Sequence, residues 1–282
     1  MLEFQLFRIK VYFPLQFSLF EGQQRSISEA IKGAISSKPQ KEIWRRGQSW
    51  HIGNILPIDE TSLYFRFGKK TKSILEVYQN GAFKDEEFET APYTHVIVDS
   101  KLELCGIAKK TKLSQKTSTI AKQLERFLNA SEYALYKKIQ FNIVEINDPE
   151  PLIGYIKNEK YNIIKFSMTF SKPNPWDVNE DFIKPLERLL SAAQGEKGKT
   201  ELEGENLNPN VLEELTRSIA STGNEVVVNL KDELGVRVRR KLTGNPVIIR
   251  YREDLVGKKQ LKYLLKRMKD TYNKIRKKEN KC

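Results

Sequence analysis

Apolar positions along this chain change period several times, and each change marks an element. Residues 2–13 are apolar on both alternating faces, the mark of a central strand. Residues 26–37 place Ile27, Ala30, Ile31, Ala34 and Ile35 at helical spacing. Residues 44–56 and 62–67 alternate as strands around a turn at 57–61, and Asn80-Gly81 is a tight-turn pair. A hairpin is predicted at 95–99 and 102–108, turning at Ser100-Lys101. Residues 114–130 form a helix with Ile120, Leu124, Phe127 and Leu128 on one face, and Ser114 or Ser118 as its cap.

A strand–helix–strand unit follows. Residues 139–146 are a strand, the prolines of Asp148-Pro149-Glu150-Pro151 open a short helix to Ile156, and 161–170 are a second strand. Pro173-Asn174-Pro175-Trp176 forces a turn with an aromatic tip. Residues 179–193 are a helix kinked at Pro185, and the Gly- and Glu-rich stretch 194–206 reads as a mobile loop. Asn208-Pro209 starts a helix to Ala220 that Gly223 terminates. Strands at 225–230, 235–241 and 247–252 precede a last helix at 255–277. Hairpins interspersed with clustered helices define an α+β protein with mostly antiparallel sheets. The expected division is an N-terminal domain at 1–135 and a C-terminal domain at 136–282.

Charge alters this picture at one end only. Residues 231–282 hold 18 Lys and Arg against 6 Asp and Glu, a surplus of 12, whereas the whole chain of 282 residues carries +13. A field concentrated in this way selects polyanionic partners. In 236–252 a hairpin is expected to set Arg239 opposite Arg250 and Arg237 opposite Arg252, all on one face. Like charges directly opposite cost a few tenths to about 1 kcal/mol per pair, and phosphate suits the guanidinium fork. In the last helix, Leu261, Leu264, Leu265, Met268, Tyr272 and Ile275 share a stripe, with Lys262, Lys266, Lys269 and Arg276 among the cations around it. An anionic membrane surface suits such a pattern too. The stripe lacks Trp and Phe, which favours a core-docked helix with a basic outer face. Glu225, Asp232, Glu233, Glu253 and Asp254 are the acids available to neutralise the hairpin.

Candidates for chemistry are sparse. Arg46 and His51 have the Arg-x-x-x-x-His spacing of HEPN-type ribonucleases, but Gly47 lies between them and 49–53 reads as strand, so a structural His51 is expected. Asp99 and Glu103 resemble the start of a PD-(D/E)xK nuclease site, in which carboxylates hold a metal. Leu104-Cys105 breaks the required Glu-x-Lys spacing. The two histidines and two cysteines lack zinc-ligand spacing, and no phosphate-cradling loop is present. Tyr64-Phe65-Arg66-Phe67-Gly68-Lys69-Lys70 interleaves rings with cations, as base-stacking strands do. The plainer expectation is that Tyr64 or Phe65 fills a core. Two isolated cysteines suit a reducing compartment, the N-terminus reads as strand and not as an export signal, and no apolar run reaches the ~18 residues of a membrane span.

These observations predict a cytoplasmic, non-enzymatic nucleic-acid-binding protein that needs no cofactor. They extend to a subunit of a prokaryotic phage-defence or toxin–antitoxin assembly, with a protein partner or a second copy. The grip falls to Arg237, Arg239, Arg250 and Arg252, flanked by Lys262, Lys266, Lys269 and Arg276. The alternatives are a metal-dependent nuclease using Asp99 and Glu103, and a protein-binding scaffold.

Overall fold

The computed structural model describes residues 1–13, 26–37, 44–45, 48–171, 183–195, 197–252 and 257–276. Arg46, the 173–176 turn, Glu253, Asp254 and the residues after Arg276 lie outside them. In chain order the elements are β1 (Leu2–Tyr12), α1 (Ile27–Ser36), β2 (Trp44–Arg45), β3 (Gln48–Pro57), β4 (Ser62–Gln79), β5 (Ala82–Thr90), β6 (Tyr93–Asp99), β7 (Leu104–Ala108), α2 (Thr117–Asn129), α3 (Glu132–Lys137), β8 (Gln140–Glu145), α4 (Glu150–Ile156), β9 (Tyr161–Ser171), α5 (Ile183–Ala192), β10 (Lys197–Glu203), α6 (Pro209–Ser221), β11 (Val226–Asp232), β12 (Arg237–Lys241), β13 (Ile248–Tyr251) and α7 (Lys258–Arg276). The protein is α+β, with antiparallel sheets, interspersed helices and a C-terminal helix. Among the described residues no helix is long and apolar enough to cross a membrane.

Two compact units are present. One comprises Met1–Gln5, Val11–Ile143 and Arg250–Leu261, the other Leu6–Lys10, Val144–Ile249 and Lys262–Cys282.

In the first unit the strands run in the order β7-β6-β4-β3-β2, with β5 on β4. Phe65 and Phe67 of β4 and Val96 of β6 are buried, and α2 turns Ile120, Leu124, Phe127 and Leu128 into the same core. Phe67 stacks on Trp50 at 4.9 Å between ring centroids and meets Phe127 edge-on at 5.8 Å. Burying side chains of this size contributes roughly 1.5–3 kcal/mol each. The cap of α2 differs from expectation: Lys116 occupies the N-cap position without a side-chain bond. The Ser114 hydroxyl instead accepts from the Lys116 N–H, before the helix begins.

Strand β4 runs well past residue 67. Its outer half pairs with β5, from Thr71 opposite Thr90 to Gln79 opposite Ala82. The expected Asn80-Gly81 turn closes this ribbon with both residues at positive φ, 51° and 79°, as a two-residue hairpin turn requires. Ile74, Tyr78 and Phe83 remain exposed on it.

In the second unit a four-stranded antiparallel sheet is ordered β10-β9-β11-β12. Phe166, Met168 and Phe170 of β9 and Val226, Val228 and Leu230 of β11 are buried on one face, against which α4, α5 and α6 pack. Asn208 caps α6 through its side chain, and Gly223 follows the helix at φ 65°. The α7 stripe is buried as its periodicity predicts: Leu261, Leu264, Leu265, Met268, Tyr272 and Ile275 are all in the core. Tyr272 accepts a 2.5 Å hydrogen bond from the buried Arg8 guanidinium.

Two local expectations are corrected. The stretch 194–206 contains β10, which pairs with β9 from Lys197 opposite Ser171 to Glu203 opposite Lys165. Gly198 makes that pairing possible, because a Cβ there would meet the Phe170 ring at 2.2 Å. The expected hairpin across Gly244-Asn245 does not form: β12 pairs with β11, whereas β13 is the neighbour of β1. Val226, Val228 and Leu230 on β11 offer Val238 an apolar neighbour in one sheet, and Ile249 and Tyr251 of β13 are buried in the other.

Candidate nucleic-acid interface

The separation of β12 from β13 divides the four arginines. Arg237 and Arg239 belong to the second unit, Arg250 and Arg252 to the first. The expected pairs Arg239–Arg250 and Arg237–Arg252 are absent. Arg239 lies opposite Asn229 and Arg237 opposite Lys231. Arg250 is exposed but engaged, its Nε donating to Glu3 Oε1 at 3.2 Å. Arg252 is exposed just beyond β13.

A different basic surface takes shape on the second unit. Alternation along β9, β11 and β12 sends their apolar side chains to the helices and their polar ones outward. On the outward face stand Lys165, Ser167 and Thr169 of β9, Val227, Asn229 and Lys231 of β11, and Arg237, Arg239 and Lys241 of β12. Strand β10 adds Lys197, Lys199, Glu201 and Glu203. Much of this face lines a concavity of about 360 Å³.

Charges on the face are graded from one edge to the other. At the β10 edge Lys165 pairs with Glu201 and Glu203, both at 2.7 Å, and Lys199 also reaches Glu201. These hydrogen bonds hold the Lys165 ammonium above its ordinary pKa. Led by the bond from Lys165, they push Glu201 down to about 2. Toward β12 Lys241 is matched by Glu225 at 3.0 Å. Asp232 accepts from the Val236 N–H in the β11–β12 turn. Lys231, Arg237 and Arg239 have no carboxylate partner among the described residues. The Lys231–Arg237 pair is a like-charge juxtaposition of the kind that cross-strand energetics disfavours.

No protein-family model matches the chain, and no curated protein matches it either.

The remaining candidates are scattered. Lys262 and Lys266 lie on the exposed side of α7, whereas Lys269 and Arg276 are half-buried. The Arg276 guanidinium lies 5.8 Å from the Tyr272 ring. Asp99 and Glu103 are both buried. Asp99 Oδ1 accepts from the N–H groups of Lys101 and Leu102, and Oδ2 from the Ser62 hydroxyl. This carboxylate organises the β6–β7 turn, a structural task that accounts for an acid at the end of an apolar run. Among the described residues no cluster of His, Cys, Asp and Glu is placed to hold a metal. His51 lies in a strand as expected and shares a 2.8 Å hydrogen bond with Ser49 Oγ. Burial pushes the Cys105 thiol well above its ordinary pKa, so the group is inert.

Sequence reasoning missed Lys165, Lys199, Lys231 and Lys241 as members of the face. Their signal was present as alternation, most clearly in Lys197-Gly198-Lys199-Thr200-Glu201, but the glycines there suggested a loop.

Proposed function

We propose that this protein binds nucleic acid by gripping phosphates on the open face of the β10-β9-β11-β12 sheet. The observation that supports this most is the group Lys231, Arg237 and Arg239, three neighbouring exposed cations without a carboxylate partner among the described residues. Folding gains nothing from bringing Lys231 opposite Arg237, so the arrangement favours an external anion. Among the described residues the concavity is lined mainly by Lys, Arg, Ser, Thr, Asn and Glu side chains. Cations spaced along neighbouring strands meet the phosphate backbone, so binding on this face has little sequence readout. Lys262 and Lys266 of α7 add long-range attraction. The buried positions and engaged oxygens of Asp99 weigh against the nuclease alternative.

Fluorescence anisotropy with single-stranded RNA, single-stranded DNA and duplex DNA across a salt series tests this reading. Binding that weakens steeply with salt and is reduced by Arg237→Gln/Arg239→Gln supports it. Affinity insensitive to both salt and the double substitution refutes it.

A further inference from the structure

The interleaved strand singled out in the sequence builds a second site, wholly within the first unit. Side chains of β4 alternate as expected: Phe65 and Phe67 go to the core, while Tyr64, Arg66 and Gly68 take the other face. On that face His51, Gly68 and Tyr93 form one row across β3, β4 and β6, and Gly53, Arg66 and His95 form the next. Gly53 leaves a bare floor at its position, and Gly68 admits the close approach of the Pro92–Tyr93 backbone. A Cβ on Gly53 would meet nothing within 4 Å, whereas one on Gly68 would strike the Pro92 carbonyl at 2.4 Å. Around this floor lies a hollow of about 430 Å³, lined by His51, Arg66, Lys70 and Tyr93 among others. Its size suits a small organic ligand.

Arg66 is the decisive group. Its guanidinium lies over the Tyr93 ring, 4.4 Å from the centroid. Its Nε donates to Tyr64 Oη at 3.4 Å, and that hydroxyl is hydrogen-bonded to His95 Nδ1 at 2.8 Å. Burial, and then the charge of Arg66, lowers the pKa of His95, so the imidazole that ends this chain is neutral. Two tyrosines thus hold the guanidinium in place, and no carboxylate answers its charge among the described residues. Lys70, by contrast, is matched by Glu89 at 2.9 Å. A cation oriented by aromatic rings at the wall of a hollow is suited to an oxyanion, for which the planar fork is preorganised. His51 offers an exposed flat ring at the same rim, of the kind on which bases stack.

We propose that this hollow binds a phosphorylated nucleotide, with Arg66 holding the phosphate and His51 facing the base. The same chemistry is presented by a free mononucleotide and by the 5′-phosphorylated end of a single strand. The site is separate from the basic sheet face of the second unit and does not depend on it.

The test is titration calorimetry on the full chain carrying Arg237→Gln/Arg239→Gln, which weakens the other grip. The probes are AMP, adenosine, and a short oligoribonucleotide with and without a 5′-phosphate. Phosphorylated probes should bind at least tenfold more tightly than their dephosphorylated counterparts. Preference for the oligonucleotide over AMP identifies a strand end, and equal binding a free nucleotide. Arg66→Gln should abolish the phosphate preference, and Arg66→Lys, which keeps charge but loses the fork, should retain only part of it. His51→Ala should weaken phosphorylated probes several-fold while the preference survives. Equal binding of phosphorylated and dephosphorylated probes, no binding at all, or an unaltered preference in Arg66→Gln overturns the proposal. Chemical-shift mapping in the wild-type chain guards against a folding defect, since it must place the perturbed amides at 51–53, 66–70 and 93–95.

Discussion

Arg239 of β12 stands directly opposite Asn229 of β11 on the outward face of the second unit's sheet. A neutral amide beside that guanidinium leaves its field intact, and Arg237 opposite Lys231 reinforces it. If phosphates settle here, each one neutralised releases counterions and adds about 0.9 to the slope of log affinity against log salt. Arg237→Gln/Arg239→Gln should therefore lower that slope by up to about 2 and weaken binding uniformly across sequences. Lys262→Gln/Lys266→Gln should reduce affinity less. Equal effects of the two doubles would move the contact surface to α7.

Glu213 of α6 is fully buried with Arg217, which it holds through Oε1 at 3.0 Å, while Lys157 reaches its other oxygen. Glu150 completes the set at 2.6 Å from Arg217. Burial alone would raise the Glu213 pKa, but the hydrogen bonds from Lys157 and Arg217 outweigh it and hold the carboxyl below its ordinary range. A depressed carboxyl contributes stability above its unfolded pKa, about 4.3, and loses it as pH falls through the folded value. Breaking such a pair from one side costs about 3 kcal/mol. Glu213→Gln should lower denaturant stability by that order at pH 7, and the gap to wild type should narrow steadily below pH 4. A gap independent of pH would show that packing, not charge, supplies the difference.

Glu76 and Asp85 face each other on the β4–β5 ribbon, two carboxylates in direct cross-strand register. Among the described residues no third strand lies beside this segment, and isolated two-stranded hairpins are marginal in water. Asp85→Lys converts repulsion to attraction and should stabilise the ribbon by about 0.5–1 kcal/mol. Amide exchange across 74–87 should slow two- to fivefold while the global melting temperature stays constant. Unchanged exchange would mean that the ribbon opens only with the whole unit.

Local pattern in the sequence carried most of the fold. The α7 stripe, the Asn80-Gly81 turn and the Gly223 stop all follow from short-range spacing, because periodicity and positive φ are local properties. Strand partners are not local. Alternation in Arg237-Val238-Arg239 and in Ile249-Arg250-Tyr251 specified two amphipathic strands, and the intervening Gly244-Asn245 suggested that they pair. What decided otherwise was the apolar face offered by Val226, Val228 and Leu230 of β11, which nothing between residues 236 and 252 announces. Similarly, β10 was hidden because Gly198 reads as a loop former until Phe170 is known to lie across it. The hollow around Arg66 depends on β3 and β6 flanking β4, so Tyr64-Phe65-Arg66-Phe67 showed its alternation but not its neighbours.

Gly223 is under two constraints that can be separated. At φ 65° an alanine would be strained whatever surrounds it, at a cost of about 1–2 kcal/mol. Here a Cβ would also come within 2.5 Å of Val144 Cγ2 and 3.0 Å of the Glu145 carbonyl oxygen. Overpacking of this kind adds roughly 1–3 kcal/mol. Gly244 has a similar φ of 83° with nothing within 4 Å of the added carbon. Gly244→Ala should therefore report the backbone cost alone, and Gly223→Ala should be the more destabilising by at least about 1 kcal/mol in urea unfolding. The Val144→Ala background should recover part of that excess by withdrawing the methyl group that the new Cβ strikes. Equal losses at the two glycines would show that the α6–β8 approach yields to an added methyl without cost.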